Sequence, residues 1–165
     1  MTRRFLISHG PRAGLACLLV LAALTGAGAQ VTSGRTVPFV TIAEGKISGV
    51  RLPERLVIRD DTAWRTLWRR HAGPDAGPPP VVDFDRDMVI AVFAGQASDS
   101  AILAITKIAA TPDRLEVAYT LRDTRPLPAA TANSSTAPFQ IVRVARSSLP
   151  VGFVQLKTPP VLRVQ

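Results

Sequence analysis

Cysteine and histidine are almost absent from this chain of 165 residues, which has one cysteine and two histidines. A single cysteine cannot form an internal disulfide, and with two histidines it supplies too few ligands for a structural zinc site. Aromatic residues make up only 5% of the chain, so few side chains would stack on nucleic-acid bases. These shortages argue against a disulfide scaffold, a zinc-stabilised domain and a nucleic-acid-binding protein.

Motifs that would indicate an enzyme are also missing. The sequence has no paired cysteines, no glycine-rich phosphate loop and no cluster of histidine with carboxylates. Its length suits one ordinary domain, and its 14 prolines and 11 glycines argue against an all-helical bundle. We therefore expect a single β-rich domain that is not an enzyme and that uses no cofactor and no metal ion.

Residues 1–29 have the pattern of a signal peptide. Three arginines give a positive N-terminal region, and residues 13–24 form an uncharged apolar run that is short for a bilayer span. Ala27-Gly28-Ala29 is the small-x-small pattern that a signal peptidase accepts, so we expect the mature chain to begin at Gln30. The predicted location is periplasmic or secreted, and an uncleaved N-terminal anchor is the alternative.

The export route and the fate of the single cysteine follow from the same segment. Arg3 and Arg4 before hydrophobic residues resemble a twin-arginine signal. Because a pair of arginines is common in the N-terminal region of an arginine-rich protein, the pair is weak evidence, and the general secretory route is favoured. Cys17 is followed by the apolar residues 18–21, whereas a lipidated cysteine closes the apolar run, which argues against lipidation. Cleavage would lower the net charge from +8 to +5, since three arginines and no acidic residue leave. Membrane association of the mature chain is not expected.

One folded domain is predicted over residues 55–157, after a leader and first strand at 30–54 and before a C-terminal tail at 158–165. Strand-like runs separated by turn residues occur at 38–42, 55–59, 88–94, 101–110, 115–121, 139–145 and 152–157. With one helix inserted after the second strand, this order predicts an α+β fold, mainly a curved antiparallel sheet or small barrel.

The predicted helix covers about residues 61–71, capped by Asp60 or Asp61. Its apolar face consists of residues at helical spacing, namely Trp64, Leu67, Trp68 and His71. Both tryptophans are expected to pack against the sheet. His71 is expected to be a packing or capping histidine rather than a catalytic one.

Each of two charged clusters has a possible binding function, but for each we favour the interpretation that the charges are simply exposed to solvent. Asp83, Asp85 and Asp87 match the first half of a calcium loop, but Met88 holds the position that needs glycine. A solvated approach to the next strand is favoured. The arginines at 65, 69 and 70 would suit an acidic partner or anionic lipid, although a solvated helix face is favoured.

Two loops are the predicted recognition sites, residues 95–100 and 123–137. Strand faces in a small sheet protein are committed to the core, so recognition falls to loops and edges. The candidate partner-binding residues are Gln96, Ser98, Asp99, Ser100 and Arg125. Both loops are expected at the same end of the sheet, and the alternative is that both are plain connections.

The order of four sequence features resembles a known family. They are Arg59-Asp60-Asp61 leading into Trp64 and Trp68, MVIAVFAG at 88–95, PFQIVRV at 138–144, and Val151-Gly152-Phe153. Over residues 55–157 this order resembles the C-terminal domain of the PrcB (protease complex subunit) family. The family tends to carry a Gly-Gly-Tyr-like turn where this chain has residues 96–101, which leaves open whether the same partner contact is kept.

The resemblance implies an exported, non-catalytic accessory protein that binds a subtilisin-like serine protease and supports its assembly or stability. The alternative function is an exported protease inhibitor that inserts loops 95–100 and 123–137 into an active-site cleft. A third, weaker hypothesis is a lipid- or cell-wall-associated domain that uses its arginines.

Overall fold

The computed structural model describes residues 34–124 and 136–157, which contain eight strands and one helix. The elements are β1 Arg35–Thr36, β2 Phe39–Gly45, β3 Glu54–Ile58, α1 Asp61–Ala72, β4 Asp87–Phe93, β5 Ala101–Ala110, β6 Leu115–Asp123, β7 Phe139–Ala145 and β8 Val151–Leu156. The predicted α+β class and the single helix are therefore confirmed for these residues. The short strand β1 lies inside the segment that was expected to be a leader.

The strands form two four-stranded sheets, where the sequence predicted one curved sheet or a small barrel. Sheet I has the order β1-β5-β6-β8 and sheet II the order β2-β7-β4-β3. Sheet II is antiparallel throughout, whereas β6 and β8 of sheet I run parallel. Alternation along a strand shows which side chains are buried but not which strand is the neighbour, so the division into two sheets was not visible in the sequence.

Strand β4 lies in the middle layer of three. Its even-numbered residues, Met88, Ile90 and Val92, belong to the core between the sheets, and its odd-numbered residues, Val89, Ala91 and Phe93, belong to the core under α1. The six side chains are at most 2% exposed. A strand covered on both faces therefore explains why the run predicted as a strand at 88–94 is apolar throughout.

A buried amide joins the two sheets. Gln140 of β7 accepts a hydrogen bond from the backbone amide of Ile105 at 2.5 Å, next to the irregular register between β5 and β6. Its amide nitrogen donates to the Thr41 hydroxyl at 3.0 Å and to the Glu44 carboxylate at 3.1 Å. Because the ladder is interrupted there, Gln140 satisfies a backbone group that would otherwise lack a partner.

The helix packs on sheet II through one face, with one difference from the prediction. The Asp60 carboxylate accepts from the backbone amide of Ala63 at 2.8 Å and so caps α1. Trp64 is only 1% exposed, but Trp68 is half-buried at the edge of the same core. Both indole nitrogens donate to the proline-rich loop after the helix, Trp64 to Pro80 O at 2.9 Å and Trp68 to Gly77 O at 3.1 Å. Trp68 is therefore the more exposed of the two tryptophans, although it packs against the same core.

Candidate functional site

The predicted recognition loop 95–100 starts with a glycine that the backbone requires. Gly95 follows β4 and has a φ of 72°, in the region that favours glycine. A Cβ atom at this position would lie 2.7 Å from the backbone nitrogen of Pro53. The turn therefore places the loop directly against residues 52–53, which precede β3.

Two serines of the loop bind the last residue of β6. The Ser98 hydroxyl donates to one oxygen of the Asp123 carboxylate at 2.7 Å, and the Ser100 hydroxyl donates to the other oxygen. Thr124 donates to the carbonyl of Ser100 through its backbone amide at 3.2 Å and its hydroxyl at 3.0 Å. The start of the second predicted loop is thus fixed to the first.

The opposite side of loop 95–100 is bonded as well. Ala97 and Thr136 form an isolated antiparallel bridge with N–O distances of 2.9 and 3.0 Å. The Lys46 ammonium donates to the carbonyl of Asp99 at 2.8 Å, and Gln96 N donates to Arg51 O at 3.0 Å. The backbone of this loop is therefore held in one conformation by three separate segments of the chain.

The predicted site residues fall into two groups. Gln96 and Asp99 are exposed, whereas Ser98 and Ser100 are half-buried against Asp123. Ser98 and Ser100 thus shape the loop, whereas Gln96 and Asp99 are exposed to solvent. Arg125 lies outside the described residues. The described residues at the two ends of loop 123–137 contact loop 95–100, Asp123 and Thr124 on one side and Thr136 on the other.

Sequence reasoning missed the neighbouring segment 46–53. Ile47 is 85% exposed and Leu52 is 72% exposed, although both are large apolar residues. We use the name "loop end" for segment 46–53, loop 95–100 and residues 136–138 together. The only sequence signal for this exposed apolar segment was an isoleucine and a leucine among turn residues. It was overlooked because residues 30–54 were interpreted as a leader and first strand.

A buried hydrogen bond fixes segment 46–53 to the end of α1. Ser48 Oγ lies 2.9 Å from Nδ1 of His71, and it accepts from the backbone amide of Val50 at 3.0 Å. Which of the two atoms donates in the Ser48–His71 hydrogen bond depends on the tautomer of the imidazole. The backbone amide of Gly49 also donates to His71 O at 2.8 Å.

The environment of His71 is that of a packing residue, as the sequence predicted. The ring centroid lies 4.1 Å from that of Phe139, and burial lowers the pKa of His71 below its usual 6.5. Ser48 and His71 are both buried, and no carboxylate binds this histidine among the described residues. A buried pair without an orienting acid does not have the geometry of a nucleophilic triad.

Asp83 and Asp85 are exposed and lie in a turn that leads into β4, and Asp87 is the first residue of that strand. The Asp83 carboxylate accepts from the backbone amide of Asp85 at 3.1 Å, and Asp83 O accepts from the amides of Arg86 and Asp87. The three carboxylates therefore lie on a turn and on the first residue of a strand. In the described part of the chain, no group of three or more potential metal-ligating side chains comes together.

Within residues 34–124 and 136–157, no helix is both long enough and apolar enough to cross a bilayer. The predicted signal peptide lies outside the described residues. No protein-family model, no curated protein and no solved structure matches this chain. The similarity to the PrcB family accordingly stays a prediction from residues 55–157.

Proposed function

We propose that this chain is a non-catalytic binding module, exported to the periplasm or secreted, that binds another exported protein through its loop end. The observation that carries the proposal is the combination of a fixed backbone with exposed side chains. Loop 95–100 is bonded by three segments, and Gln96, Asp99, Ile47 and Leu52 are exposed around it. A preordered loop loses little conformational entropy on binding, so its contacts contribute more to affinity.

The partner suggested by sequence is a subtilisin-like serine protease. The signal-peptide pattern of residues 1–29 supports an exported partner, and the PrcB-like order of motifs over 55–157 supports the protease class. Neither names the individual protease. In this proposal the module supports the assembly or stability of the protease complex, and it uses no cofactor or metal ion.

The occupied backbone of loop 95–100 favours an accessory role over the alternative of a protease inhibitor. An inhibitor loop that enters a cleft as an added strand needs backbone donors and acceptors for the enzyme. Here Gln96 N bonds to Arg51, and Ala97 has both backbone groups paired with Thr136. Ser98 O also accepts from the Thr136 hydroxyl at 2.7 Å. Inserting this loop would first require breaking bonds inside the module.

The experiment that tests the loop end uses the mature protein with a photo-reactive amino acid in place of Gln96. The control carries the same group at Val81, which is 94% exposed and lies outside the loop end. In cell-envelope extract we expect a discrete cross-linked product from position 96 and none from position 81. Products of equal yield from both positions would contradict the proposal.

A pair of charge variants then measures the contribution of the apolar side chains. Ile47→Asp combined with Leu52→Asp should weaken binding of the cross-linked partner about tenfold or more, as removal of central interface contacts does. Val81→Asp should leave the affinity unchanged. If the partner is a protease, titration separates the two roles. An accessory subunit preserves or raises peptidase activity, and an inhibitor abolishes it at a one-to-one ratio.

A further inference from the structure

A pocket of about 500 Å³ opens at the end of the molecule opposite the loop end. It is lined by Arg59, which follows β3, by residues 146–150, which connect β7 to β8, and by Val151, the first residue of β8. The sheet register separates the two ends, because Phe93 pairs with Phe139 near the loop end and Asp87 pairs with Ala145 near the pocket. The seven-residue length of β7 puts about 20 Å between them at the usual rise per residue.

The Arg59 guanidinium is held in place by backbone carbonyls of the pocket wall. Its Nε donates to Ser147 O at 3.2 Å, and one terminal nitrogen donates to Leu149 O at 3.1 Å. Arginine has five N–H donors in a planar group, so these two bonds leave further donors on the fixed guanidinium. Its positive charge is not neutralised by these carbonyls.

Arg146 is fixed in the same way. One terminal nitrogen donates to Arg59 O at 3.0 Å and to Phe84 O, and the backbone amide of Arg146 donates to Arg86 O at 2.8 Å. Two like charges therefore lie against one pocket, each positioned by neutral groups.

Three acidic residues close in sequence to Arg59 or Arg86 have partners of their own. Asp60 caps α1, the Asp83 carboxylate accepts from Asp85 N, and Asp87 lies 3.5 Å from Arg143. The pocket lining includes no aspartate or glutamate. Among the described residues, neither Arg59 nor Arg146 forms an ion pair.

We propose that this pocket binds an organic oxyanion, a carboxylate or phosphate that carries an apolar substituent. Two arginines and the hydroxyls of Ser147 and Ser148 supply donors for the charged group, and Ser147 Oγ already accepts from Leu149 N at 3.2 Å, which leaves its proton for a ligand. Leu149, Pro150 and Val151 form the apolar wall. The volume exceeds that of a bare phosphate and falls in the range of small-molecule sites.

The first experiment titrates the isotope-labelled mature protein with four probes while its backbone amide resonances are recorded. The probes are phenyl phosphate, phenylacetate, inorganic phosphate and benzyl alcohol. We expect one of the aromatic anions to bind with a dissociation constant of about 1 mM or tighter, a modest affinity for a ligand of that size. The shifts should centre on Arg59 and residues 146–151, and the stronger anion identifies the headgroup. Equal binding of benzyl alcohol, shifts elsewhere, or no binding by either aromatic anion would overturn the proposal.

Variants separate charge from folding. Arg146→Gln should weaken binding about tenfold or more, because a charge-assisted hydrogen bond is lost. Arg69→Gln, on the exposed face of α1, is the matched control and should bind normally. Ser148→Asp places a carboxylate at an exposed position of the lining and leaves both guanidinium contacts intact. It should weaken anion binding with an unchanged melting temperature, so unchanged anion affinity in a folded Ser148→Asp variant refutes the site even if Arg146→Gln fails to fold.

Discussion

Deleting Trp64 should be among the most damaging single changes to this fold. The side chain is 1% exposed, packs in the core between α1 and sheet II, and lies 5.4 Å from Trp68 between ring centroids. Its indole nitrogen also holds the loop at Pro80. The sequence placed Trp64 and Trp68 on one face and treated them alike, whereas the structure makes them unequal.

The expected magnitude follows from the buried area. A buried tryptophan removes about 150–250 Å² from water, which at about 25 cal/mol per Å² corresponds to about 4–6 kcal/mol. Alanine keeps a small part of that contact, and large-to-small changes of buried aromatics cost about 3–5 kcal/mol. We therefore expect Trp64→Ala to lower the free energy of unfolding by about 4 kcal/mol. Trp68→Ala should cost about half as much, because this side chain is already partly in water.

Urea unfolding of the mature protein, followed by far-UV circular dichroism, measures both values. The same comparison by melting temperature should show a decrease of about 15 °C for Trp64→Ala, from the usual shift per kcal/mol for a domain of this size. The reasoning is refuted if Trp68→Ala destabilises as much as Trp64→Ala, or if Trp64→Ala costs less than about 1 kcal/mol. Either result would mean that α1 does not cover sheet II as described.

Three further predictions use residues that the fold places under constraint. Gln140→Leu should lower the free energy of unfolding by about 1–3 kcal/mol, because Ile105 N loses its acceptor, and Gln96→Leu at an exposed position is the control in the same urea assay. Gly95→Ala should cost about 1–3 kcal/mol, since φ is positive and the new Cβ meets Pro53; Gly77→Ala, with open space around it, should be nearly neutral. Burial lowers the pKa of His71 in the folded state, so folding favours the neutral imidazole. The contribution of His71 to the free energy of unfolding should therefore be fully present above pH 6.5, the usual value, and should be lost as the pH falls through the folded-state pKa. The loss should be at most about 1.4 kcal/mol per pH unit. His71→Phe should remove that part of the slope between pH 7 and 5, and an unchanged slope would show that another group causes it.

Strands and the helix could be predicted where neighbouring residues in the sequence determine them. Strands β5 and β7 have the bounds that alternation and turn residues gave, and α1 begins beside the predicted cap. The apolar run at 88–94 predicted a strand, and the structure shows that its alternate residues are buried in two different cores. Local signals sufficed here, since a capping side chain and a two-residue period act over a few residues.

Relations between distant segments were not predictable in the same way. Gln140 looked like one polar residue in a strand, yet its amide satisfies a backbone group of β5, 35 residues away. The loop 95–100 was singled out for its serines, but Ser98 and Ser100 are occupied by Asp123 and the exposed side chains include Ile47 and Leu52 of another segment. The composition of a loop shows its polarity, whereas its shape depends on residues far away in sequence.

The two proposed sites can be tested separately because the fold separates them. The loop end is fixed at the Phe139 end of β7, and the pocket at the Ala145 end, with the antiparallel ladder of sheet II between them. A charge variant at Ser148 should therefore leave the cross-link at position 96 unchanged, and Ile47→Asp with Leu52→Asp should leave anion binding unchanged. If an anion in the pocket altered partner binding, the ladder from Phe139 to Ala145 would have to transmit the change. Its residues Ile141, Val142 and Val144 are at most 2% exposed in two packed cores, and such a core resists gradual deformation. Independent binding at the two ends is thus the outcome that this packing favours.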